Sequence, residues 1–203
     1  MTVLPYGPRG WLVELAEDDV VGYARAVARA GHPDVVELVP AARTVLVRLG
    51  ESSAPTQIGA WLATIEPDRV ERTERVGQID IAVTYDGADL QDVAAASGLD
   101  VAGVIERHTH ARYDCAFCGF APGFAYLRGL DPALHLPRRS TPRTRVPAGA
   151  VAIADAYAAV YPSASPGGWH LLGRTDVRLW DAEREPPALI IPGTTVRFVD
   201  AHR

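Results

Sequence analysis

The sequence predicts an α+β N-terminal domain, residues 1–86, followed by a β-barrel domain, residues 87–203. In the first part, short β-branched runs alternate with helix-length amphipathic segments. From Tyr113 onward the apolar runs are short, glycine and proline interrupt every interval, and no long helix fits. Many short strands with frequent turns are typical of a closed or nearly closed barrel. The turn-forming pair Asp86-Gly87 marks the expected boundary.

The N-terminal pattern predicts the order β-α-β-β-α. Strands are expected at residues 10–15, 35–39 and 44–49, and helices at residues 19–30 and 56–65. The second and third strands are close enough in sequence to form an antiparallel pair. A strand from Ile79 to Tyr85 is expected to complete this layer as a split βαβ-type arrangement. The polar segment from Glu66 to Gly77 is expected to be an exposed connector.

The C-terminal part is expected to begin with two short helices that form a cover over the barrel. Asp100 is the predicted cap of the second helix. The helices are expected at residues 88–98 and 101–108, and strands at 113–118, 151–154, 159–161, 170–172, 177–180 and 195–199.

Composition excludes several classes of function. The net charge of −5 gives no general attraction to nucleic acid or to an anionic membrane. All 20 basic Lys and Arg positions are arginine, so the chain has neither a Schiff-base lysine nor a P-loop lysine. No signal pattern or membrane-length apolar run is present, which predicts a cytoplasmic protein.

Cysteines and histidines give no metal site by spacing. Cys115 and Cys118 form a C-x-x-C pair, but no second pair exists and the pair lies in an expected strand. They are interpreted as small strand residues rather than as a redox pair or zinc ligands. For His108 and His110 a capping or hydrogen-bonding role is favoured over metal ligation.

Four arginines lie within eight residues, and flanking prolines limit the freedom of this segment. They are Arg138, Arg139, Arg143 and Arg145. Because guanidinium groups match carboxylate and phosphate in shape, one interpretation is an oxyanion site. The alternative is salt bridging to acidic residues on neighbouring strands. If the arginines are exposed, Arg139→Ala or Arg143→Ala should abolish activity and leave the melting temperature nearly unchanged.

Aromatic residues and bends flank this arginine segment. A Pro-Gly-Gly-Trp turn is expected to let the backbone approach a ligand closely, with the tryptophan as a wall. Plugging a barrel end is the alternative role for the aromatics. No G-x-S-x-G elbow surrounds Ser163 or Ser165, and no catalytic residue is assigned. The predicted substrate-binding residues are Phe120, Pro122, Gly123, Arg138, Arg139, Arg143, Tyr161, Gly167, Gly168 and Trp169.

Several sequence blocks in a fixed order carry a specific resemblance. The chain resembles the allophanate hydrolase subunit 1 family, which includes the B-type subunits of 5-oxoprolinase, the sporulation kinase inhibitor type and related carboxyltransferase domains C and D. The blocks are Asp89-Leu90, Gly98-Leu99, residues 107–109, residues 119–124, residues 137–139, residues 141–143, residues 146–149, Tyr161-Pro162 and residues 166–169.

The resemblance implies a cyclophilin-like C-terminal barrel and a hetero-oligomeric enzyme. The implied complex contains a C-type partner and an A-type protein, and it opens 5-oxoproline to glutamate with ATP hydrolysis. ATP would be used by the complex and not held by a P-loop of this chain, and no tightly bound cofactor is expected. Two alternatives stay open: a regulatory module that inhibits a histidine kinase, and an amide-processing component of the urea carboxylase or allophanate hydrolase type.

The chain also departs from the family pattern. Tyr157 lies where the family usually has a glutamine-containing run, Ser163 begins a segment that is often Arg-Glu-Thr, and Thr194 replaces a usual aspartate. A missing amide or carboxylate would remove a substrate contact or a proton relay. The departures leave the fold prediction intact and put the exact reaction in question.

Overall fold

The computed structural model describes residues 1–51, 55–68 and 77–202, without the side chains of residues 55 and 56. By their internal contacts the residues fall into two compact units, Met1–Glu74 and Arg75–Arg203. The expected connector, residues 66–77, lies largely outside the described ranges. Within those ranges no helix is both long enough and apolar enough to cross a bilayer.

The first unit contains an antiparallel sheet with the strand order β1-β2-β4-β3. Its described elements are β1 (Thr2–Pro5), β2 (Gly10–Glu14), α1 (Val20–Ala30), β3 (Val35–Pro40), β4 (Thr44–Leu49) and α2 (Pro55–Leu62). Buried side chains of both helices, among them Tyr23 and Leu62, pack on Val13 and Val45 of the sheet. The expected antiparallel pairing of the second and third predicted strands is present. Strand β1 was not predicted.

The second unit is built around a mixed sheet of seven strands in the order β12-β9-β10-β7-β6-β13-β5. A separate two-stranded ribbon pairs β11 with β8. The elements are β5 (Gln78–Val83), α3 (Leu90–Ser97), α4 (Val101–His110), β6 (Tyr113–Cys118), β7 (Ala125–Arg128), β8 (Arg143–Val146), β9 (Ala150–Ala154), β10 (Tyr157–Val160), β11 (Ser165–Gly167), β12 (His170–Arg174) and β13 (Thr195–Asp200).

The two edges of this sheet meet. Thr84 follows β5, Arg174 ends β12, and the two form an isolated antiparallel bridge. Each backbone N–H donates to the other residue's carbonyl oxygen, at 2.8 Å from Thr84 and 2.9 Å from Arg174. The seven-stranded sheet is therefore a nearly closed, mixed β-barrel, as the spacing of short strands predicted.

The predicted placement of β5 in the N-terminal layer is wrong. This strand runs parallel to β13, from the pair Gln78–Thr195 to the pair Val83–Asp200. Its alternating apolar residues require one buried face but do not specify which sheet provides it. Parallel pairing also joins segments far apart in sequence, which local patterns do not reveal. Asp86-Gly87 consequently lies inside the second unit.

Other differences concern very short strands. The run Val177–Trp180 makes only an isolated bridge, between Trp180 and Ala188. Three strands that were not predicted, β7, β8 and β11, have four, four and three residues. Such lengths are too short to show a two-residue periodicity clearly.

Strand β9 is buried on both faces of the barrel sheet. Val151 and Ile153 point into the main core, whereas Ala150, Ala152 and Ala154 belong to a second, aromatic-rich cluster. Because successive strand residues point to opposite faces, the strand separates the two cores. The alanines leave room on their side for the rings of Phe124, Tyr161 and Trp169.

Helices α3 and α4 contribute buried residues to the main core, as expected for a cover. Asp100 caps α4, accepting the Gly103 N–H at 2.8 Å. The segment before α3 lies directly on β12, since Gly87 N–H donates to Leu172 O at 3.0 Å. A Cβ at Gly87 would lie 2.2 Å from the Leu171 carbonyl oxygen, so the close approach requires glycine.

Gly87→Ala should therefore lower the free energy of unfolding by about 1–3 kcal/mol, because the segment must move away from β12. Chemical denaturation monitored by circular dichroism measures the change. The control is Gly119→Ala, where the added Cβ meets only a Tyr126 ring carbon at 4.0 Å. Equal stability of the two variants would contradict the close-packing argument.

Candidate functional site

A buried carboxylate from a distant part of the chain contacts two residues of the arginine segment. Asp89, just before α3, has a side chain that is 1% exposed. Its carboxylate accepts from Arg143 Nη1 at 2.8 Å, from Arg143 Nη2 at 2.7 Å and from Arg139 Nη1. The Leu171 backbone N–H donates to the same carboxylate at 2.8 Å. One anion thus joins two guanidinium groups to strand β12.

This geometry changes the interpretation of two arginines. Arg139 and Arg143 are 30% and 25% exposed, and both form the salt bridges that the sequence left open as an alternative. The premise that they are freely exposed is wrong, so the expectation that their removal would leave the melting temperature nearly unchanged loses its basis. Arg143 directs both terminal nitrogens to Asp89, whereas Arg139 directs only one.

Arg138 differs from its neighbour in the chain. Its side chain is exposed, and its guanidinium carbon lies 5.9 Å from the Trp169 ring centroid. Stacking of this kind orients a guanidinium while leaving its N–H donors accessible. In the described part of the chain Arg138 forms no ion pair, and the same holds for the exposed Arg145. Arg138 is therefore available to an external anion.

A cavity of about 380 Å³ adjoins the consecutive arginines Arg138 and Arg139. His170 lines it, with Nε2 donating to the Pro137 carbonyl at 2.9 Å, while Trp169 points to the aromatic cluster. His170 and Trp169, which are adjacent in sequence, therefore face opposite ways. The lining residues are Ala96, Leu136, Pro137, Arg138, Arg139, Ser140, Thr141 and His170.

The glycine turn before Trp169 supports the site from within the protein. A Cβ at Gly167 would lie 2.3 Å from Tyr161 Oη, so glycine makes room for that phenol. Gly168 accepts the Arg139 backbone N–H at 2.8 Å. Its own added Cβ would meet nothing nearer than 3.6 Å. The turn thus fixes the arginine segment, and contact of these glycines with a ligand stays a prediction.

The loop after β6 exposes an aromatic ring on a strained backbone. Phe120 has φ of 71° and is 62% exposed, an unfavourable combination for a large side chain. Its ring centroid lies 5.2 Å from that of Phe124 and 6.4 Å from that of Tyr161. Pro122 is exposed beside it, and Gly123, with φ of 81°, packs on Trp180. Phe120 is thus an exposed rim to the aromatic cluster.

Below this rim the aromatic rings form a connected layer. The Phe124 ring contacts Tyr161 at 5.3 Å and Trp169 at 5.6 Å, both edge to face. Burial raises the pKa of Tyr161 above its ordinary value. The phenol is therefore neutral at physiological pH. Phe124, Tyr161 and Trp169 are thus packed residues of this second cluster, on the face of β9 opposite the main core, and not a plug of the barrel interior.

Opposing effects act on the ionisation of Asp89. Burial disfavours the charged form, but hydrogen bonds from Arg143 and Leu171 N–H, with the charges of Arg143 and Arg139, outweigh it. The pKa of Asp89 accordingly lies below its usual range. The carboxylate is ionised at neutral pH and fixes the positions of both arginines.

Cys115 and Cys118 are free thiols on β6, with sulfur atoms 3.7 Å apart. Cys115 belongs to the main core. Burial and the hydrogen bond with Cys118 raise the pKa of Cys115, with the hydrogen bond as the larger cause. Within the described ranges, no three His, Cys, Asp or Glu side chains are grouped to hold a metal ion.

His108 has a structural hydrogen-bonding role, as expected. It is fully buried, its Nδ1 lies 2.7 Å from Tyr85 Oη, and its ring stacks on Phe198 at 4.5 Å. Burial lowers the pKa of His108 to about 3. The imidazole therefore stays neutral at physiological pH.

Sequence reasoning missed Asp89 as a member of the site. It lies 50 and 54 residues before Arg139 and Arg143, so spacing alone does not connect them. The available sign was its place in the first resemblance block. Only the structure shows that Asp89, at the N-cap position of α3, makes no capping hydrogen bond with its side chain.

The comparisons identify the class of protein. The family model of the carboxyltransferase domain, subdomains C and D, matches residues 1–190, and the chain belongs to this family. Among curated relatives, the 5-oxoprolinase B subunit of Escherichia coli O157:H7 is 43% identical over 175 residues, covering 82% of this chain and 78% of the relative.

Solved structures agree with the fold. The protein TTHA0988 superimposes with a TM-score of 0.81 at 36% identity over 95% of this chain. The present chain spans only 40% of that longer chain. The urea carboxylase of Kluyveromyces lactis gives a TM-score of 0.75 at 21% identity over 98% of this chain and 21% of its own, a likeness of fold alone.

Arg143→Ala should lower the free energy of unfolding by at least about 2 kcal/mol, because it leaves the buried Asp89 carboxylate without its bidentate partner. Arg145→Ala is the matched control, an exposed arginine of the same strand, and should change stability by less than about 0.5 kcal/mol. Urea denaturation of both variants measures the difference. Similar stability of the two would contradict a structural role for the Asp89–Arg143 pair.

The lowered pKa of Asp89 gives this stabilisation a pH dependence. The folded state binds the proton less tightly than the unfolded state, so the contribution is present above about pH 4 and is lost as pH falls through the folded pKa. The stability gap between the wild type and Asp89→Asn should therefore be large at neutral pH and shrink below about pH 4. Denaturation at a series of pH values tests this, and a gap that widens on acidification would refute it.

Proposed function

We propose that this chain is the B-type component of an ATP-dependent 5-oxoprolinase complex. In this complex 5-oxoproline is opened to glutamate with hydrolysis of ATP. The observation that carries the proposal is the cavity of about 380 Å³ bordered by Arg138, which has no acidic partner among the described residues, and the half-engaged Arg139. 5-Oxoproline has one planar carboxylate, which suits a guanidinium fork. The similarity to curated B subunits of 5-oxoprolinase supports the same assignment.

Within this proposal the chain binds and orients the substrate. Arg138 donates to the substrate carboxylate, with its guanidinium held over Trp169. Ser140 and Thr141 supply hydroxyl groups at the cavity, where they can hydrogen-bond the lactam. Holding a substrate in one orientation accelerates reaction with groups from a second chain. The barrel, cyclophilin-like by the resemblance, acts as the rigid support.

The proposal requires a C-type partner and an A-type protein. The absence of lysine excludes a P-loop of the standard kind in this chain, so we place ATP binding on a partner. The longer chain of TTHA0988 supports the partner proposal, because this chain corresponds to only part of it. Phe120, exposed at the site's rim, is the residue we expect to contact a partner. The complex is proposed to act in the cytoplasm.

Arg138→Gln should raise the KM for 5-oxoproline by about tenfold or more, since it removes a charge-assisted hydrogen bond of about 1.5–3 kcal/mol. The melting temperature should stay nearly unchanged because the side chain is exposed. The assay is 5-oxoproline-dependent ATP hydrolysis after co-expression with the neighbouring C-type and A-type candidates. Arg145→Gln is the control and should leave KM unchanged.

Two results would count against the proposal. A well-folded complex without 5-oxoproline-dependent ATP hydrolysis would exclude the reaction. Normal KM in Arg138→Gln, in a complex that does turn over, would exclude Arg138 as the carboxylate ligand and leave the reaction in place.

A further inference from the structure

The arginines around the cavity differ in how many donors remain available. Both terminal nitrogens of Arg143 bind Asp89, and Arg143 does not line the cavity. Arg139 uses Nη1 for Asp89 and keeps Nη2. Arg138 keeps its whole guanidinium. A ligand in the cavity can therefore bind the full guanidinium of Arg138 and part of that of Arg139.

Asp89 is held independently of the arginines. Its backbone N–H donates to Leu171 O at 3.1 Å, and its backbone carbonyl accepts the Val93 N–H at 2.8 Å. The carboxylate also accepts the Leu171 N–H at 2.8 Å. Strand β12 and the first turn of α3 thus fix the acidic group.

The charge of Asp89 affects which anion the cavity favours. Three neighbouring guanidinium groups with no carboxylate among them would attract a multiply charged, tetrahedral anion such as phosphate. Asp89 neutralises one of these three charges and occupies both terminal nitrogens of Arg143. Its negative charge also opposes the binding of a further negative charge nearby. What remains matches a singly charged, planar carboxylate.

We infer that Asp89 is the positioning and specificity-determining residue of this site. By engaging Arg143 and half of Arg139, it restricts the cavity to a ligand with one carboxylate and keeps out phosphate-like dianions. The identity of that ligand as 5-oxoproline rests on the proposed function. The effect on phosphate does not depend on the proposed function.

The test uses Asp89→Asn, which keeps the side chain's shape and removes its charge. In the assembled complex the KM for 5-oxoproline should rise about tenfold or more, while kcat changes less than about threefold. In this chain alone, inorganic phosphate should raise the melting temperature of the variant, and not of the wild type, relative to sodium chloride at equal ionic strength. The freed arginines are expected to bind the phosphate.

Asp86→Asn is the matched control, since Asp86 forms an exposed pair with Arg174, with side chains 41% and 62% exposed. It should show neither effect. If Asp89 has a purely structural role, Asp89→Asn should have a lower melting temperature that phosphate does not raise, and its KM for 5-oxoproline should be unchanged. Either an unchanged KM or a melting temperature that phosphate does not raise overturns the inference.

If Asp89→Asn does not fold, the double variant Asp89→Asn with Arg143→Gln removes one charge of each sign and relieves the repulsion. Arg139 is then free of its carboxylate, so the phosphate-specific rise should again appear, and its absence overturns the inference. If the wild-type complex does not turn over 5-oxoproline, the proposed function fails. The phosphate measurement still decides the role of Asp89.

Discussion

The charged site depends on one buried carboxylate. An ionised group with a side chain that is 1% exposed is tolerated only when its charge is matched and its oxygens accept hydrogen bonds. Asp89 meets both conditions with two arginines and a backbone N–H. The same contacts tie the start of α3, the beginning of β12 and the arginine segment together. Removing the arginine segment would leave the buried carboxylate without its counter-charges, and removing Asp89 would leave both arginines without their acidic partner.

The site is layered from apolar to charged. Rings of Phe124, Tyr161 and Trp169 pack in the barrel's second cluster, and the alanines of β9 give them room. Arg138 lies over the tryptophan, with the cavity beside it. Position 167 must be glycine because a Cβ there would collide with the phenol of Tyr161, so packing explains the glycine in the turn before Trp169. A stiff apolar base of this kind reduces the freedom lost when a ligand orders the arginines.

The sequence predicted features with a local cause and missed those with a distant one. The barrel class followed from short apolar runs between glycines and prolines, and the Asp100 cap followed from its position before a helix. The arginine cluster was visible because its members are neighbours. Asp89 was not connected to it, because 50 residues separate it from Arg139 and no periodicity links them. The sheet that receives β5 was likewise hidden, since the register joins residue 78 to residue 195.

The membership of β5 in the barrel has a practical consequence for dissecting the protein. A fragment beginning at residue 87 would lack this strand, although its first residues look like a natural start. The N–H and C=O groups along one side of β13 would then be unpaired, and Arg174 would lose the bridge from Thr84. An open, apolar edge of this kind recruits other chains, so such a fragment would self-associate rather than behave as an isolated domain.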